Sequence, residues 1–408
     1  MRKYSPEEMG MSVKKKVDLF KHFANSVNCF LRDGGLEPEY QIANVSGNYP
    51  ENIIFAQYSK AADTCFCYWN MQLGVSPDGA SPEFYGGFGY PHPFLIEDYV
   101  DGEMKAIIIA GTIAAVYNGN GFDEIDLPER CDCGIMHRGR LIGAKGRVVK
   151  WSGPEGFQDW GRELGGYGRL TLDPALGEVL NILEYGGKVV AVRERGLTVL
   201  SMEGSPEDFN VKPLDNGCDK VYANTAQVVA GKLYFFTLSG LKCYDGTKIT
   251  PLKTRHAVSA PWSSAEFGGR YFLACKSDYL KREAILCVDS ADGESLLIDD
   301  VADVFLVKDD VSYYHAKRMK KLKKGERGVF VFETQPINFG SDKLKTLSKV
   351  EFDDLLPLYV NNGRYTRYFE DRRYAYRPRM RGFTFSFRLE WIGPVRWATA
   401  TAEVPDDI

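Results

Sequence analysis

Nine cysteines, five histidines and a dense run of lysines and arginines are the residues of this 408-residue chain whose types could do chemistry. Two cysteine pairs stand at C-x-C spacing, Cys65-Phe66-Cys67 and Cys131-Asp132-Cys133. Residues i and i+2 of a strand share a face, so each pair aims both sulfurs one way, and a four-cysteine metal site is conceivable. Zinc sites favour C-x-x-C spacing and no paired histidine stands nearby, so the better reading is small buried side chains, kept as reduced thiols in a cytoplasm. His22, His92, His137, His256 and His315 are scattered. None has a companion at metal-ligand spacing or a nucleophile context, and each reads as a loop or surface residue. Gly119-Asn120-Gly121 and Gly165-Gly166-Tyr167-Gly168 precede no phosphate-loop lysine and no helix, and read as turns. Glycoside hydrolysis needs a spaced carboxylate pair, and among 55 acidic residues none stands out. The chain is expected to be no enzyme and to carry no cofactor.

The strongest binding signal is basic. Lys317, Arg318, Lys320, Lys321, Lys323 and Lys324 concentrate charge in what reads as a linker or hairpin tip. Arg364, Arg367, Arg372, Arg373, Arg377, Arg379 and Arg381 follow, interleaved with Tyr365, Tyr368, Tyr374 and Tyr376. Such a mixture can track phosphates and stack on bases. It equally suits protein–protein contact, in which Tyr and Arg are enriched, or a solvated face. The net charge of −4 conceals an asymmetry. Residues 317–397 hold 19 Lys and Arg against 9 Asp and Glu, a balance of +10, and the last eleven residues carry −3, which leaves −11 for the first 316. The two regions are expected to face different surroundings.

The elements that must position these groups are short strands. A hydrophobic share of 44% with 26% charged and 13% aromatic residues describes a folded globular chain. The longest apolar run, near Ala106-Ile107-Ile108-Ile109-Ala110, is of strand length and far below the roughly 18 to 20 residues of a membrane span. The N-terminus lacks the apolar core of a secretory signal.

From Arg140 to Ile249 one pattern recurs. Leu141-Ile142-Gly143-Ala144 precedes Arg147-Val148-Val149-Lys150-Trp151-Ser152; Gly187-Lys188-Val189-Val190-Ala191-Val192 precedes Leu197-Thr198-Val199-Leu200; Gly231-Lys232-Leu233-Tyr234-Phe235-Phe236 precedes Leu241-Lys242-Cys243-Tyr244. Hairpins of this kind cannot bury an apolar face alone, so copies must stack or circle. Hairpin-ending turns near Asn70, Asn118, Gly153, Gly204, Asp245 and Ser290 recur at an average of roughly 45 residues, the period of four-stranded propeller blades.

The expected fold is therefore all-β: a β-propeller of about six blades over residues 46–330, an N-terminal arm over 1–45 and a small β-sandwich-like domain over 331–408. An irregular sandwich or two stacked barrels is the alternative. Residues 12–30 also have a weak helical spacing. In the last segment Phe383, Phe385 and Phe387 alternate with polar residues, as in a half-buried strand.

Arg140-Leu141-Ile142-Gly143-Ala144, then Arg147-Val148-Val149-Lys150-Trp151-Ser152 and Gly156-Phe157-Gln158-Asp159-Trp160, resemble the strand–turn signature of bacteriophage and prophage tail propellers, among them tail-nozzle and packaged-DNA stabilisation proteins. Val179 to Gly204 resembles their next unit, and Thr334-Gln335-Pro336-Ile337-Asn338-Phe339-Gly340-Ser341 resembles the segment that leaves the propeller. The resemblance covers about residues 130 to 400 and rests on structural motifs. It implies a non-catalytic virion component made in a bacterial cytoplasm, a nozzle or adaptor that forms a ring with copies of itself. Other tail or connector proteins, and packaged DNA through electrostatics, are the further partners it implies, with no membrane insertion. Ser290-Ala291-Asp292-Gly293 faintly resembles the turn box of sialidase-like propellers. Two alternatives stand beside this reading: a glycan-binding propeller with Tyr85, Phe88 and Tyr90 as sugar platforms, and a propeller glycoside hydrolase.

Overall fold

In each expected repeat the run richest in apolar residues is the second strand, and the reason is burial on both faces. The computed structural model describes residues 12–32, 35–161, 166–203, 209–215, 217, 219–324, 328–392 and 394–405. It divides into one unit of residues 43–293 and 300–322 and another of 1–42, 294–299 and 323–408. No α-helix occurs among the described residues.

The first unit is a β-propeller. Blade 1 holds Ile53–Ser59, Thr64–Trp69, Gln72–Ser76 and Glu83–Gly87, and blade 2 holds Pro93–Val100, Glu103–Tyr117 and Phe122–Cys131. Blade 3 is Cys133–His137, Arg140–Lys145, Val148–Trp151 and Gly168–Thr171, and blade 4 is Val179–Tyr185, Lys188–Arg193, Gly196–Ser201 and Asn210–Asp215. Blade 5 is Gln227–Val229, Lys232–Thr237, Gly240–Tyr244 and Ile249–Pro251, and blade 6 contains Val258–Phe267, Arg270–Ser277 and Arg282–Asp289. A closing sheet joins Val304–Val307, Val311–His315 and Arg318–Lys324 to the early strand Tyr40–Val45. First strands of successive sheets touch in order, and Val304–Val307 returns to Ile53–Ser59, so the circuit is complete. The expected turns at Asn70, Asn118, Gly153, Asp245 and Ser290 each fall in a different blade, while Gly204 lies outside the described residues.

Period-two alternation divides each second strand between two neighbours. In blade 1, Phe66 and Tyr68 pack with Ile108 and Ala115 of blade 2, while Cys65, Cys67 and Trp69 pack with Leu306 and Tyr314 of the closing sheet. In blade 4, Val189 and Ala191 face blade 3 and Val190 and Val192 face blade 5. In blade 2 the second strand is long: Glu103–Tyr117 is a single strand with a register shift at Gly111, whose φ of 69° suits a residue without a Cβ.

The signature turn after Trp151 clasps two blades. Phe157 is 1% exposed and packs among Ile96 and Ile107 of blade 2 and Leu141 of blade 3. Its backbone N–H donates to Asp98 Oδ2 of blade 2 at 2.8 Å. A Cβ on Gly156 would come within 2.7 Å of that carboxylate, so the close approach requires glycine.

In the second unit Ser12–Asp18 pairs antiparallel with Ala398–Pro405, which pairs with Lys345–Asn361, then Ser386–Trp391, Phe330–Thr334 and Phe23–Val27. Thr366–Tyr376 and Met380–Gly382 also pair with Lys345–Asn361. Phe332, Leu358, Val360, Phe385, Phe387 and Leu389 share one core. The N-terminal segment expected as an arm thus supplies Ser12–Asp18 and Phe23–Val27 to this sheet, Cys29–Arg32 and Gly35–Pro38 pair with each other, and the helical spacing of 12–30 yields strands around the 3-10 turn Leu19–His22. Phe385 and Phe387 are buried as expected, but Phe383 is 54% exposed. It precedes the strand, and its carbonyl accepts from the Lys345 ammonium.

Candidate interaction surfaces

The run Lys317–Lys324 is not a linker. Arg318–Lys324 is a strand of the closing sheet, antiparallel to Val311–His315. Met319 and Leu322, on opposite faces of the strand, are both buried, and Lys317, Lys320 and Lys321 meet acidic neighbours. The Lys320 ammonium lies 2.7 Å from both oxygens of Asp300, which also accepts from the Tyr313 hydroxyl at 2.7 Å. The Lys320 and Asp300 side chains are only 18% and 13% exposed. Burial first, and then the Asp300 carboxylate, push the Tyr313 hydroxyl's pKa well up. Lys321 pairs with Asp310, and Lys317 with Glu51 at 2.6 Å in full solvent. Arg318 and Lys323 are exposed. Lys320→Met should therefore lower stability by roughly 1–3 kcal/mol, because it leaves Asp300 short of a charged partner. Lys317→Met should cost about 0–1 kcal/mol. Urea midpoints of the two variants check the pair.

Arg372, Arg373, Arg377 and Arg379 lie in the other unit, on the strand Thr366–Tyr376 and the turn after it, and all four are exposed, as are Arg364, Arg367 and Arg381. Tyr365, Tyr368 and Tyr374 are exposed as well. Tyr376 is a correction: it is buried in the core, and its hydroxyl donates to Leu356 O at 2.7 Å. Tyr368 stacks on Tyr359 with centroids 4.3 Å apart, and Arg388 stands 5.9 Å over Tyr359 while donating to Glu333 at 3.0 Å. The register places Tyr368, Tyr359, Arg388 and Glu333 in one row across four strands. Arg372 lies 4.7 Å over the Trp391 ring. Both contacts hold the basic strand in a defined shape.

A second surface was missed by the sequence reading. Phe122–Cys131 is the outer strand of blade 2 and pairs on one side only among the described residues. Asp123, Glu124 and Asp126 of that strand are exposed. Tyr85 meets Phe122 at 5.8 Å, and Phe84 beside it is 58% exposed. Burial and the charges of Tyr85 and Glu83 raise the Tyr117 pKa, which places Glu83 in the same rim. The acidic run Asp123-Glu124-x-Asp126 was visible, but nothing local marks it as an outer strand.

Of the three aromatics expected as sugar platforms only Tyr85 stands exposed; Phe88 is buried and Tyr90 packs against the same core under Arg130. A cavity of about 530 Å³ opens at the first strands of blades 1 to 3, lined by Gln57, Tyr58, Lys60, Leu95, Ile96, Glu97, Ile135, Met136 and Lys308. Glu97 is the one carboxylate in that lining, and it accepts from Ser59 Oγ at 2.6 Å and Ala61 N at 3.0 Å. Lys308 sits 4.7 Å over Tyr58 and 3.1 Å from Asp63.

Cys65 and Cys67 share the second strand of blade 1, whereas Cys131 ends the outer strand of blade 2 and Cys133 begins the first strand of blade 3, so the second pair does not share one strand as expected. Cys65 and Cys67 pack in the contact with the closing sheet, and Cys67 Sγ lies 3.3 Å from the Tyr314 hydroxyl. Cys131 packs against Gly143, and Cys133 lies opposite Ala144. Burial pushes the thiols of Cys67, Cys131 and Cys133 up to about 12 and that of Cys65 to about 11, because it disfavours the charged thiolate. Two histidines correct the surface reading: His137 and His256 are buried. His137 Nδ1 lies 3.5 Å from Glu184. His22 keeps its backbone in the 3-10 turn and His92 is an exposed loop residue.

One carboxylate carries a pH dependence. Burial raises the Asp219 pKa, but hydrogen bonds from Ser239 and Thr237 and the Lys242 ammonium at 3.2 Å outweigh it and hold the group at about 2. Its folded pKa lies below the unfolded value of about 3.9, so its contribution is whole above about pH 4 and is lost as pH falls toward 2. Asp219→Asn should flatten that part of the acid limb of urea midpoint against pH and leave the neutral region's slope unchanged.

The chain matches no protein-family model and no curated protein sequence. It is similar to BBS1N, solved in complex with ARL6DN, with a TM-score of 0.51 at 8% identity over 70% of this chain and 96% of that one. PorZ, a surface component of the type-IX secretion system of Porphyromonas gingivalis, aligns with a TM-score of 0.48 at 9% identity over 83% of this chain, which spans 57% of PorZ. The extracellular domain of BT4673, a hybrid two-component system of B. thetaiotaomicron, aligns with a TM-score of 0.47 at 11% identity, over 84% of this chain and 48% of that one. At an identity of 8% the likeness to BBS1N concerns fold alone.

Proposed function

We propose that this chain is a non-catalytic structural component of a bacteriophage or prophage tail, a nozzle- or adaptor-type protein that works by joining copies of itself into a ring. The strand–turn signature from Arg140 to Trp160 is what suggests the tail setting. The observation that carries the contact role is the exposed Arg/Tyr strand Thr366–Tyr376, whose neighbouring rings stack on one another and on guanidinium groups. Tyr and Arg are the residues that dominate interface energetics, and a pre-ordered strand loses little entropy on docking. Blades that cover one another leave a rigid body whose loops and outer strands are free for contact.

The test has two readouts. Negative-stain micrographs of the purified protein should show closed rings, and tail particles pelleted from a producing culture should contain the chain in stoichiometric amount by mass spectrometry. A monomer at all concentrations up to about 100 µM, where even weak contacts show, would overturn the ring, and its absence from particles would overturn the tail role. Portal, terminase and tail-fibre genes beside its own are the expected coding neighbourhood.

A further inference from the structure

Both signs of charge stand exposed on this chain, on two outer strands of different units. The Arg-rich strand Thr366–Tyr376 pairs only with Lys345–Asn361 among the described residues, and the acidic strand Phe122–Cys131 only with Glu103–Tyr117. Residues 362–381 hold seven Arg against Glu370 and Asp371, a balance of +5. The rim of the propeller offers Glu83, Asp123, Glu124 and Asp126, with Phe84 and Tyr85 among them. Carboxylates on an outer strand keep it from pairing at random with other sheets. The same carboxylates accept a strand that brings guanidinium groups.

We propose that neighbouring copies meet head to tail, the Arg/Tyr strand of one copy docking on the acidic aromatic rim of the next copy's propeller. This rests on the ring reading and specifies its contact. Two different patches of one chain that complement each other make a heterologous interface, which closes into a ring when the rotation per copy allows. A self-complementary patch would instead set like charge against like: Arg372, Arg373 and Arg377 facing their own copies repel, as do Asp123, Glu124 and Asp126. Aromatics stand in both patches, Tyr365, Tyr368 and Tyr374 on one side and Phe84 and Tyr85 on the other, so apolar area is available at the centre of the charged contact. Each strand also has a backbone edge that is unpaired among the described residues, so main-chain pairing can add to side-chain contact.

The experiment is a charge exchange in the full chain, read by sedimentation velocity and micrographs. One variant carries Arg372→Glu, Arg373→Glu and Arg377→Glu; a second carries Asp123→Lys, Glu124→Lys and Asp126→Lys; a third carries all six. Far-ultraviolet circular dichroism and urea midpoints confirm that each folds. Association should weaken at least about tenfold in each of the first two and return in the third, and it should weaken with added salt in the parent. Lys276→Glu with Lys281→Glu, exposed on blade 6, should leave association unchanged. Rings that persist in the first two variants, or fail to return in the third, overturn the docking surfaces and leave the ring itself standing. A parent chain that is monomeric under all conditions overturns both.

Discussion

Phe157→Ala should destabilise the propeller by roughly 3–5 kcal/mol, the range for deleting a fully buried aromatic ring. The ring is 1% exposed and lies between Ile96 and Ile107 of one blade and Leu141 of the next. Its removal leaves a cavity at a blade-to-blade contact, where two sheets would have to shift together to refill it. The turn that carries it is also held by the Phe157 N–H bond to Asp98 and by Trp160 Nε1, which donates to Phe157 O at 2.8 Å. These bonds keep the loop in place and so prevent collapse into the space. Phe84→Ala, which removes a side chain of the same kind from an exposed site, should change stability by about 0.5 kcal/mol or less. Urea midpoints followed by tryptophan fluorescence measure both. Equal effects would show that the signature turn is surface decoration and not a clasp.

Arg193→Met should cost roughly 2–4 kcal/mol, because it strands several buried acceptors at once. The guanidinium is 1% exposed. It donates to Gly177 O at 2.9 Å, Asp173 O at 2.7 Å and Thr198 Oγ1 at 3.1 Å. Asp173 in turn caps the short 3-10 turn Pro174–Leu176 through Ala175 N at 2.7 Å, so one side chain ties the entry of blade 4 to its second strand. Burial pulls the guanidinium's pKa down, against the nearby charge of Asp173, yet it stays charged at any working pH. Arg193→Lys should recover little, since an ammonium cannot span acceptors arranged for a planar fork. Arg138→Met is the comparison: this exposed partner of Glu203 should matter by about 0–1 kcal/mol. Guanidinium chloride midpoints of the three variants rank them, and an Arg193→Met midpoint equal to that of Arg138→Met would refute the account.

The fold class was legible because propeller blades write themselves into local sequence. A second strand covered on both faces must be apolar throughout, as in Thr64–Trp69 and Lys232–Thr237, and a tight turn must follow it. Such constraints act within a dozen residues. The same local view misjudged Lys317–Lys324, because a strand dense in lysines looks like a solvated tip until Asp300 and Asp310 are known to face it. It misjudged His137, His256, Phe88 and Tyr90 for the same reason: burial is decided by what lies across the fold.

By itself, then, the sequence determined that this chain is a ring of repeated hairpins with an additional β region and a marked separation of charge, since period, turn chemistry and charge count are properties of neighbours along the chain. Only the tertiary structure decided which lysines are neutralised by partners, that Ser12–Asp18 and Phe23–Val27 join the C-terminal sheet, and that Asp123, Glu124 and Asp126 stand on an outer strand of the propeller. Those outcomes depend on pairings between segments tens to hundreds of residues apart, and no local pattern encodes which distant strand will be the neighbour.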